Sequence, residues 1–169
     1  MHHGSVAGDY LSTTPLPLAL SAILALIPLP DDTDARGEKS TWDRRVQAHK
    51  FAQASFEALD NESELIDSMI NPKDALSNGA TCSHRALFHP GVPLDLETNI
   101  TLLLLSVYEY IQRGNIKKMM NRGAQSLMLA LDSRLYSSKG EEDQFAEARR
   151  RVWWTTVSLF NSIRILLTK

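Results

Sequence analysis

The chain has 169 residues, of which 43% are hydrophobic and 22% are charged, which suits one domain with a buried core and excludes wholesale disorder. Its 18 Lys and Arg against 20 Asp and Glu give a formal net charge of -2. Phosphate neutralisation needs a concentrated basic surface, so this balance excludes a chain built mainly to coat nucleic acid. The single cysteine, Cys82, excludes an internal disulfide framework and a multi-cysteine zinc site, and a reducing compartment is its natural setting.

The N-terminal part combines a polar stretch with a short apolar run. Residues 1–14 show no periodicity and predict a flexible N-terminus. The run from Leu16 to Leu29, with prolines near its start, predicts a helix at about 16–28. It is shorter than the ~20 residues of a bilayer span, and no basic residue precedes it as in a secretory signal. We therefore expect no membrane contact, with a secreted helical protein kept as an alternative because of two Asn-x-Ser/Thr triplets.

Two helices are predicted next, at 41–60 and 62–70. Thr41 is the expected cap of the first, and its apolar residues form a broken helical stripe of Trp42, Val46, Phe51, Ala54 and Leu59. The segment 61–64 resembles a capping signal, which predicts that a new short helix starts there and ends before Pro72. Residues 71–94 show no alternation of apolar and polar residues, so they predict loops and no strand pair.

The clearest helical periodicity follows at 95–113, with Asp95 as the expected N-cap and Gly114 as the stop. Its apolar face consists of Leu96, Ile100, Leu103, Leu104, Val107, Tyr108 and Ile111. A helix at 115–135 comes directly after, with a face of Ile116, Met119, Met120, Leu127, Met128, Leu131 and Leu135. The very short link predicts an antiparallel hairpin. Gly123 lies inside the second helix, where it costs ~1 kcal/mol against alanine and is typical of a close helix crossing.

A final helix is predicted at 141–168, because acids at its start suit the positive end of the helix dipole. Its buried face is expected to contain Phe145, Val152, Leu159, Phe160, Ile163, Leu166 and Leu167. The six segments together predict an all-α fold, a bundle or array of helical hairpins.

No arrangement of residues predicts catalysis or a cofactor. Cys82, His84 and His89 lie close in sequence, but zinc needs three or four ligands and no fourth candidate follows at a familiar spacing. No nucleophile elbow occurs, and carboxylate pairs such as Asp31/Asp32 and Glu141/Glu142 are adjacent residues at linker or helix edges, which is typical of solvation. We expect neither a metal site nor enzymatic activity.

Two groups of cations remain. Arg113, Lys117, Lys118 and Arg122 have two interpretations, a solvated helix surface or a phosphate contact. Three consecutive arginines, at 149–151, fan across ~200° of a helix, so they cannot all face one partner. At least one is expected to lie against an aromatic or carboxylate neighbour inside the domain.

Two motifs resemble the fungal-specific transcription factor regulatory domain of the xylanolytic-activator type. Leu103 to Asn115, followed by 124–130, is similar to the family's leucine-rich helix and the alanine-containing helix after it. The matching positions are Leu103, Leu104, Ser106, Tyr108, Gly114, Ala124 and Ala130. Ala148 to Trp154 is similar to the family's run of arginines followed by paired aromatics, through Arg149, Arg150, Arg151, Trp153 and Trp154. The resemblance extends from about residue 16 to the end and covers the N-terminal part of the family domain.

The resemblance implies a nuclear region that modulates RNA polymerase II transcription of metabolic genes through protein contacts. In that family a six-cysteine zinc cluster reads DNA, and a chain with one cysteine cannot form it. The resemblance therefore implies no zinc in this chain and only an indirect link to DNA. The expected partners are the rest of a regulator or a second copy.

Departures from the family leave alternatives open. The family domain continues beyond the Trp-Trp helix, so this chain is expected to be a fragment, a truncated gene product or a small paralogue. Leu159-Phe-Asn161 stands where the family often has Leu-Asp-Arg, which puts any role of that acid in doubt. The alternative function is a generic helical interaction or scaffold protein, with a cytoplasmic location and no transcriptional role.

Overall fold

Five helices make up the computed structural model, which describes residues 14–28, 30, 36–69, 87–137 and 144–167, and of 65–69 and 166–167 only the backbone. They are α1 (Pro15–Leu24), α2 (Glu38–Met69), α3 (Leu94–Ile111), α4 (Ile116–Asp132) and α5 (Ala146–Leu167). These described ranges contain no strand, and the helices pack against each other. The predicted all-α class is confirmed.

Helix α1 is shorter than the predicted 16–28. Pro15 occupies the first helical position, where its missing N–H costs little, and Thr14 precedes it in extended conformation. Beyond Leu24 the amides of Leu26 and Ile27 bond three residues back, at 3.2 and 3.0 Å, so the helix tightens and ends. The cause lies in Pro28, which disfavours helical geometry at the residue before it.

Helix α2 is one continuous helix, so the prediction of two helices was wrong. It begins before Thr41, whose amide donates to the Gly37 carbonyl at 2.9 Å, and Thr41 is therefore not the cap. The supposed capping signal at 61–64 lies inside the helix, where Ser63 Oγ donates back to the Asp60 carbonyl at 3.2 Å. Polar residues are tolerated there because most of them are exposed, and the helix contains neither proline nor glycine.

The hairpin of α3 and α4 is antiparallel as predicted, because Asn99 pairs with Ser126 while Ser106 pairs with Met119. Helix α3 begins one residue early, with Pro93 rather than Asp95 at the N-cap position. Asp95 instead lies in the first turn, where a negative charge suits the helix dipole.

The predicted stop at Gly114 is confirmed, although α3 itself ends at Ile111. Gly114 adopts a φ of +59°, a left-handed conformation that glycine takes without steric cost, and the chain turns back at this point. Asn115 then caps α4 by accepting a hydrogen bond from the Lys118 amide at 3.0 Å.

Helix α4 ends three residues before the predicted boundary at 135. Arg134 adopts a φ of +51°, and the Leu135 amide closes the turn on the Ala130 carbonyl at 2.9 Å. The last helix also starts later than predicted, at Ala146, and residues 141–143 and 168 lie outside the described part.

Helix α3 is the centre of the fold, since it contacts each of the other four helices. On one side, small and large side chains form a core of α1, α2 and α3: Ala19, Ala22, Ala48, Ala52, Leu105 and Tyr108. On the other side, α4 and α5 join α3 through Leu96, Ala130, Leu135 and Val152. The predicted packing of the mid-chain hairpin with the last helix is therefore present.

A buried polar cluster fastens three of these helices. Asn99 of α3 donates from Nδ2 to the Ser126 carbonyl of α4 at 3.1 Å, and Ser126 Oγ donates back to Asn99 Oδ1 at 2.5 Å. The hydroxyl of Thr156 in α5 lies 3.3 Å from the same Oδ1. All three side chains are buried, so the cluster fixes the axial position of each helix relative to the others.

Some residues predicted to be buried are exposed. Trp42, Ile111, Ile116, Met128 and Leu131 expose between 38% and 68% of their surface. The reason is the angular position of these residues around their helices. Trp42 is about 120° around α2 from Ala48, and Met128 is about 180° around α4 from the buried stripe of Met119, Gly123, Ser126 and Ala130.

The close crossing predicted from Gly123 is present, and its partner is α5. A Cβ atom at this position would lie 2.8 Å from Cδ1 of Ile163 and 3.6 Å from Oγ of Ser106. Ile163 is buried, so its terminal methyl has little room to move away.

We predict that Gly123→Ala lowers the free energy of unfolding by about 1 kcal/mol, because overpacking outweighs the gain in helix propensity. Ile163→Val removes Cδ1, so the lost stability should be recovered in the double variant. Chemical denaturation of the single and double variants would measure this coupling between the two positions. Strictly additive effects of the two substitutions would show that the crossing does not depend on this contact.

Candidate functional site

The hairpin residues singled out by the resemblance are mostly packing residues. Ser106 is buried and its Oγ donates to the Met119 carbonyl at 2.8 Å, which ties α3 to α4. Ala130 belongs to the core between α3, α4 and α5, and Ala124 is half-buried. Leu103 and Tyr108 are buried as well, while Leu104 is half-buried. These positions are therefore distributed over two sides of α3: Tyr108 and Leu104 pack towards α1 and α2, Ala130 packs towards α5, and Gly114 forms the turn of the hairpin.

The three arginines separate around α5 as predicted. Arg150 and Arg151 both pair with Glu147 on the same helix, at 2.9 and 2.8 Å, and all three side chains are largely exposed. Arg149 is half-buried. Two of the three arginines therefore have their carboxylate partner at the surface, while Arg149 is the one that lies partly inside the domain.

The two tryptophans have different environments. Trp153 is half-buried, packs against the core of α3, α4 and α5, and its ring lies 5.8 Å from that of Tyr136 in a tilted arrangement. Trp154 leaves 61% of its surface exposed. The paired aromatics thus supply one packing residue and one surface residue.

A charged cleft lies between α2, α3 and the start of α4, with a volume of about 410 Å³. Helix α2 contributes Glu57 and Asp60, whereas Lys118 and Arg122 line it from α4. Arg122 is held in place because its guanidinium lies 4.1 Å from the centre of the Phe56 ring and donates to Gln125 at 3.0 Å. The basic cluster noted in the sequence is therefore divided: Arg113, Lys118 and Arg122 line the cleft, and Lys117 does not.

Glu109 lines the same cleft from a buried position, with 1% of its surface exposed. Its Oε2 atom accepts no hydrogen bond from the residues that the structure describes. The Nε of Arg113, one helical turn on, lies 3.6 Å away, which is an ion pair but too long for a hydrogen bond. A buried carboxylate thus faces a cleft with part of its hydrogen-bonding capacity unused.

Tyr108 and His49 form the part of the cleft where α2 meets α3. The Tyr108 hydroxyl lies 3.5 Å from Nδ1 of His49. Burial raises the pKa of Tyr108 above 10.0, an effect that Arg113 opposes and Glu109 reinforces. The phenol therefore stays neutral at physiological pH and can donate a hydrogen bond.

An apolar groove lies on the opposite side of α3, between α3 and α5, with a volume of about 270 Å³. Leu103, Leu104 and Val107 line one wall, and the other is formed by residues of α5 such as Leu159. Val107 and Glu109 are two residues apart, about 200° around the helix, which places groove and cleft on opposite faces. Arg151 lies at the rim of the groove, with 78% of its side chain exposed.

The sequence analysis did not identify Glu109, Asn99 or the α2 side of the cleft. The available signal was a set of polar residues inside the otherwise apolar helix 95–113, where a polar side chain on a buried face needs a partner. The contribution of α2 could not be predicted, because periodicity does not indicate which helices become neighbours.

The three residues noted as possible metal ligands do not form a described cluster. Cys82 and His84 lie outside the described residues, and Nδ1 of His89 accepts a hydrogen bond from the Gly91 amide at 3.0 Å. The described ranges contain no group of three or more His, Cys, Asp or Glu that could hold a metal ion. In the same part of the chain, no helix combines the length and apolar character needed to span a bilayer.

Comparison of this chain with protein-family models, with curated proteins and with solved structures gives no match.

We predict that the ion pairs of Glu147 stabilise the fold around α5 at neutral pH and lose this effect in acid. Its hydrogen bond with Arg151 and the charge of Arg150 lower its pKa below the ordinary 4.5. A lowered folded-state pKa contributes stability above the unfolded pKa, and that contribution is lost as pH falls through the folded value. The melting temperature of the wild type should therefore be higher than that of Glu147→Gln at about pH 7, and the difference should vanish towards about pH 3. Glu64→Gln, an exposed substitution on α2, is the control and should show no such trend; a constant difference for Glu147→Gln would contradict the prediction.

Proposed function

We propose that this chain is the regulatory helical region of a fungal transcription factor, which modulates RNA polymerase II transcription of metabolic genes through protein contacts in the nucleus. Two motifs support this proposal, the leucine-rich hairpin and the arginine–tryptophan helix, and Ala130 of the first packs in the same core as Val152 and Trp153 of the second. We expect the region not to read DNA itself, because Arg150 and Arg151 pair with Glu147 while Arg113, Lys118 and Arg122 share a cleft with carboxylates.

The single observation that carries a function through protein contacts is the apolar groove between α3 and α5. Six of the eight residues that line it are leucine, isoleucine or valine, the others are Arg151 and Thr155, and it opens to solvent rather than lying inside the core. Exposed apolar surface of this kind, bordered by polar residues, is typical of interaction sites.

The occupant that fits this groove is an amphipathic helix of a partner protein. Helices α3 and α5 run in the same direction, since Asn99 lies opposite Thr156 and Ser106 lies beside Ile163 near Gly123. A groove between two parallel helices accepts the apolar stripe of a third. The wall on α3 extends from Ile100 to Val107, which is about two helical turns.

The charge at the rim of the groove indicates which charge the partner helix carries. Arg151 lines the groove and Arg150 lies next to it, and their one shared carboxylate, Glu147, leaves a net positive rim. A partner helix with Asp or Glu beside its apolar stripe is therefore favoured over a basic one.

The generic scaffold hypothesis is supported by the same groove and differs only in lacking a transcriptional effect. The discriminating experiment fuses the chain to an unrelated DNA-binding module and measures a reporter gene. We expect the chain to change reporter output, and Arg151→Glu or Thr155→Glu in the groove to reduce that change severalfold. Ser158→Glu is the matched control, because Ser158 is exposed on the same helix and does not line the groove.

The occupant is tested with synthetic amphipathic peptides that carry one leucine stripe flanked by either glutamate or lysine. The glutamate peptide should bind about two- to fivefold more tightly, and Arg151→Glu should reverse the order. Equal binding of both peptides contradicts the acidic partner. A dimer that Arg151→Glu abolishes, measured by light scattering, identifies a second copy as the occupant instead. Peptide binding with no reporter effect supports the scaffold hypothesis and contradicts the regulatory one.

A further inference from the structure

The charged cleft between α2, α3 and α4 has walls of opposite sign. Glu57 and Asp60 line it from α2, while Lys118 and Arg122 line it from α4. In the described part of the chain no ion pair joins the acidic wall to the basic wall, although such residues normally pair when they can approach within 4 Å. The cleft therefore keeps the opposite charges apart, and an electric field crosses it from wall to wall.

The surroundings of Arg122 and Lys118 help to keep the two walls separate. The guanidinium of Arg122 lies over the ring of Phe56 on α2 and donates to Gln125, so an ion pair with the acidic wall would have to replace these contacts. Lys118 lies in the first turn of α4, where the positive end of the helix dipole adds to the charge of the basic wall.

Glu109 supplies an independent observation that a ligand belongs here. It is 1% exposed, lines the cleft, and its Oε2 accepts no hydrogen bond from the described residues. The nearest cation, Nε of Arg113, stays 3.6 Å from this oxygen, so a hydrogen-bond donor supplied from the cleft would be favoured. A shift of the Arg113 side chain, which is 38% exposed, would open this carboxylate to such a donor.

We propose that the cleft binds a small zwitterionic molecule, with its ammonium group directed to the acidic wall and Glu109 and its carboxylate directed to Lys118 and Arg122. The three carboxylates and three cations that line the cleft balance each other, so a ligand with a single charge is attracted by one wall and repelled by the other. A zwitterion with separated charges satisfies both walls. The volume of about 410 Å³ lies in the range of roughly 300–1,000 Å³ that is common for small-molecule sites.

The experiment is isothermal titration calorimetry of the full chain with three probes of one carbon-chain length: 6-aminohexanoate, hexylamine and hexanoate. We expect 6-aminohexanoate to bind about tenfold more tightly than either singly charged probe, since only it satisfies both walls. The inference does not rest on the proposed transcriptional role, because binding by the purified chain is measured independently of it.

Variants of the two walls test the orientation of the ligand. Asp60→Asn and Lys118→Ala should each weaken 6-aminohexanoate binding about two- to fivefold, and Lys118→Ala should leave hexylamine binding equal or stronger. Glu64→Gln and Lys117→Ala are the matched controls, because these exposed residues lie on the same two helices but do not line the cleft.

Glu109→Gln keeps the shape of the side chain and removes its charge, and it should weaken the binding of 6-aminohexanoate more than either wall variant. Its thermal unfolding without ligand is measured alongside, so that a loss of folding is distinguished from a loss of binding. If Glu109→Gln fails to fold, the wall variants decide alone. Equal affinity for all three probes, or wall variants that bind 6-aminohexanoate like the controls, would overturn the proposal.

Discussion

Helix α3 is held among four other helices by buried polar side chains that make hydrogen bonds to those helices or to its own backbone. Asn99, Thr101 and Ser106 are all buried, and each makes a hydrogen bond within the described structure. Leaving one such group unpaired costs about 1–3 kcal/mol, so a shift of α4 along α3 by one residue would be penalised at two points at once. The register of the hairpin, and with it the position of α5, follows from this constraint.

Small residues complete the arrangement that the polar cluster begins. Gly123, Ser126 and Ala130 form one stripe of α4, which lets α3 and α5 approach it closely. Because α5 is drawn towards α4, its far side separates from α3 and the apolar groove remains between them. On the opposite face of α3, Tyr108 contacts α2 near His49, and the cleft opens beyond this contact. Both candidate surfaces are therefore consequences of how α3 is held.

Much of the fold could be predicted from the sequence, because apolar spacing at three and four residues indicates helices directly. The hairpin, its turn at Gly114 and the close crossing at Gly123 were all indicated by single residues with a physical reason to be there. Boundaries were less predictable. The polar segment 61–64 resembles a cap yet continues a helix, since exposed polar residues neither start nor end a helix by themselves.

The sites could be predicted only in part. Arginines at 149–151 were expected to diverge and do so, and the sequence alone did not indicate that Arg150 and Arg151 share Glu147 one turn away on the surface. Glu109 stands in the sequence among the apolar residues of α3, and its burial depends on neighbours from α2 and α4 that no local pattern reveals. Met128 and Trp42 were predicted to be buried but are exposed, since the apolar pattern does not indicate which face of a helix its neighbours cover.

Native-state hydrogen exchange measured residue by residue tests most directly whether α3 organises this fold. If it does, the amides of residues 102–106 exchange only when the whole chain unfolds, with a free energy equal to that of global unfolding. Amides at 60–64 of α2, whose side chains are mostly exposed, should exchange through smaller, local openings. Exchange at 102–106 that is faster than exchange in α2 or α5 would contradict the account, because α3 would then open while the helices around it remained folded.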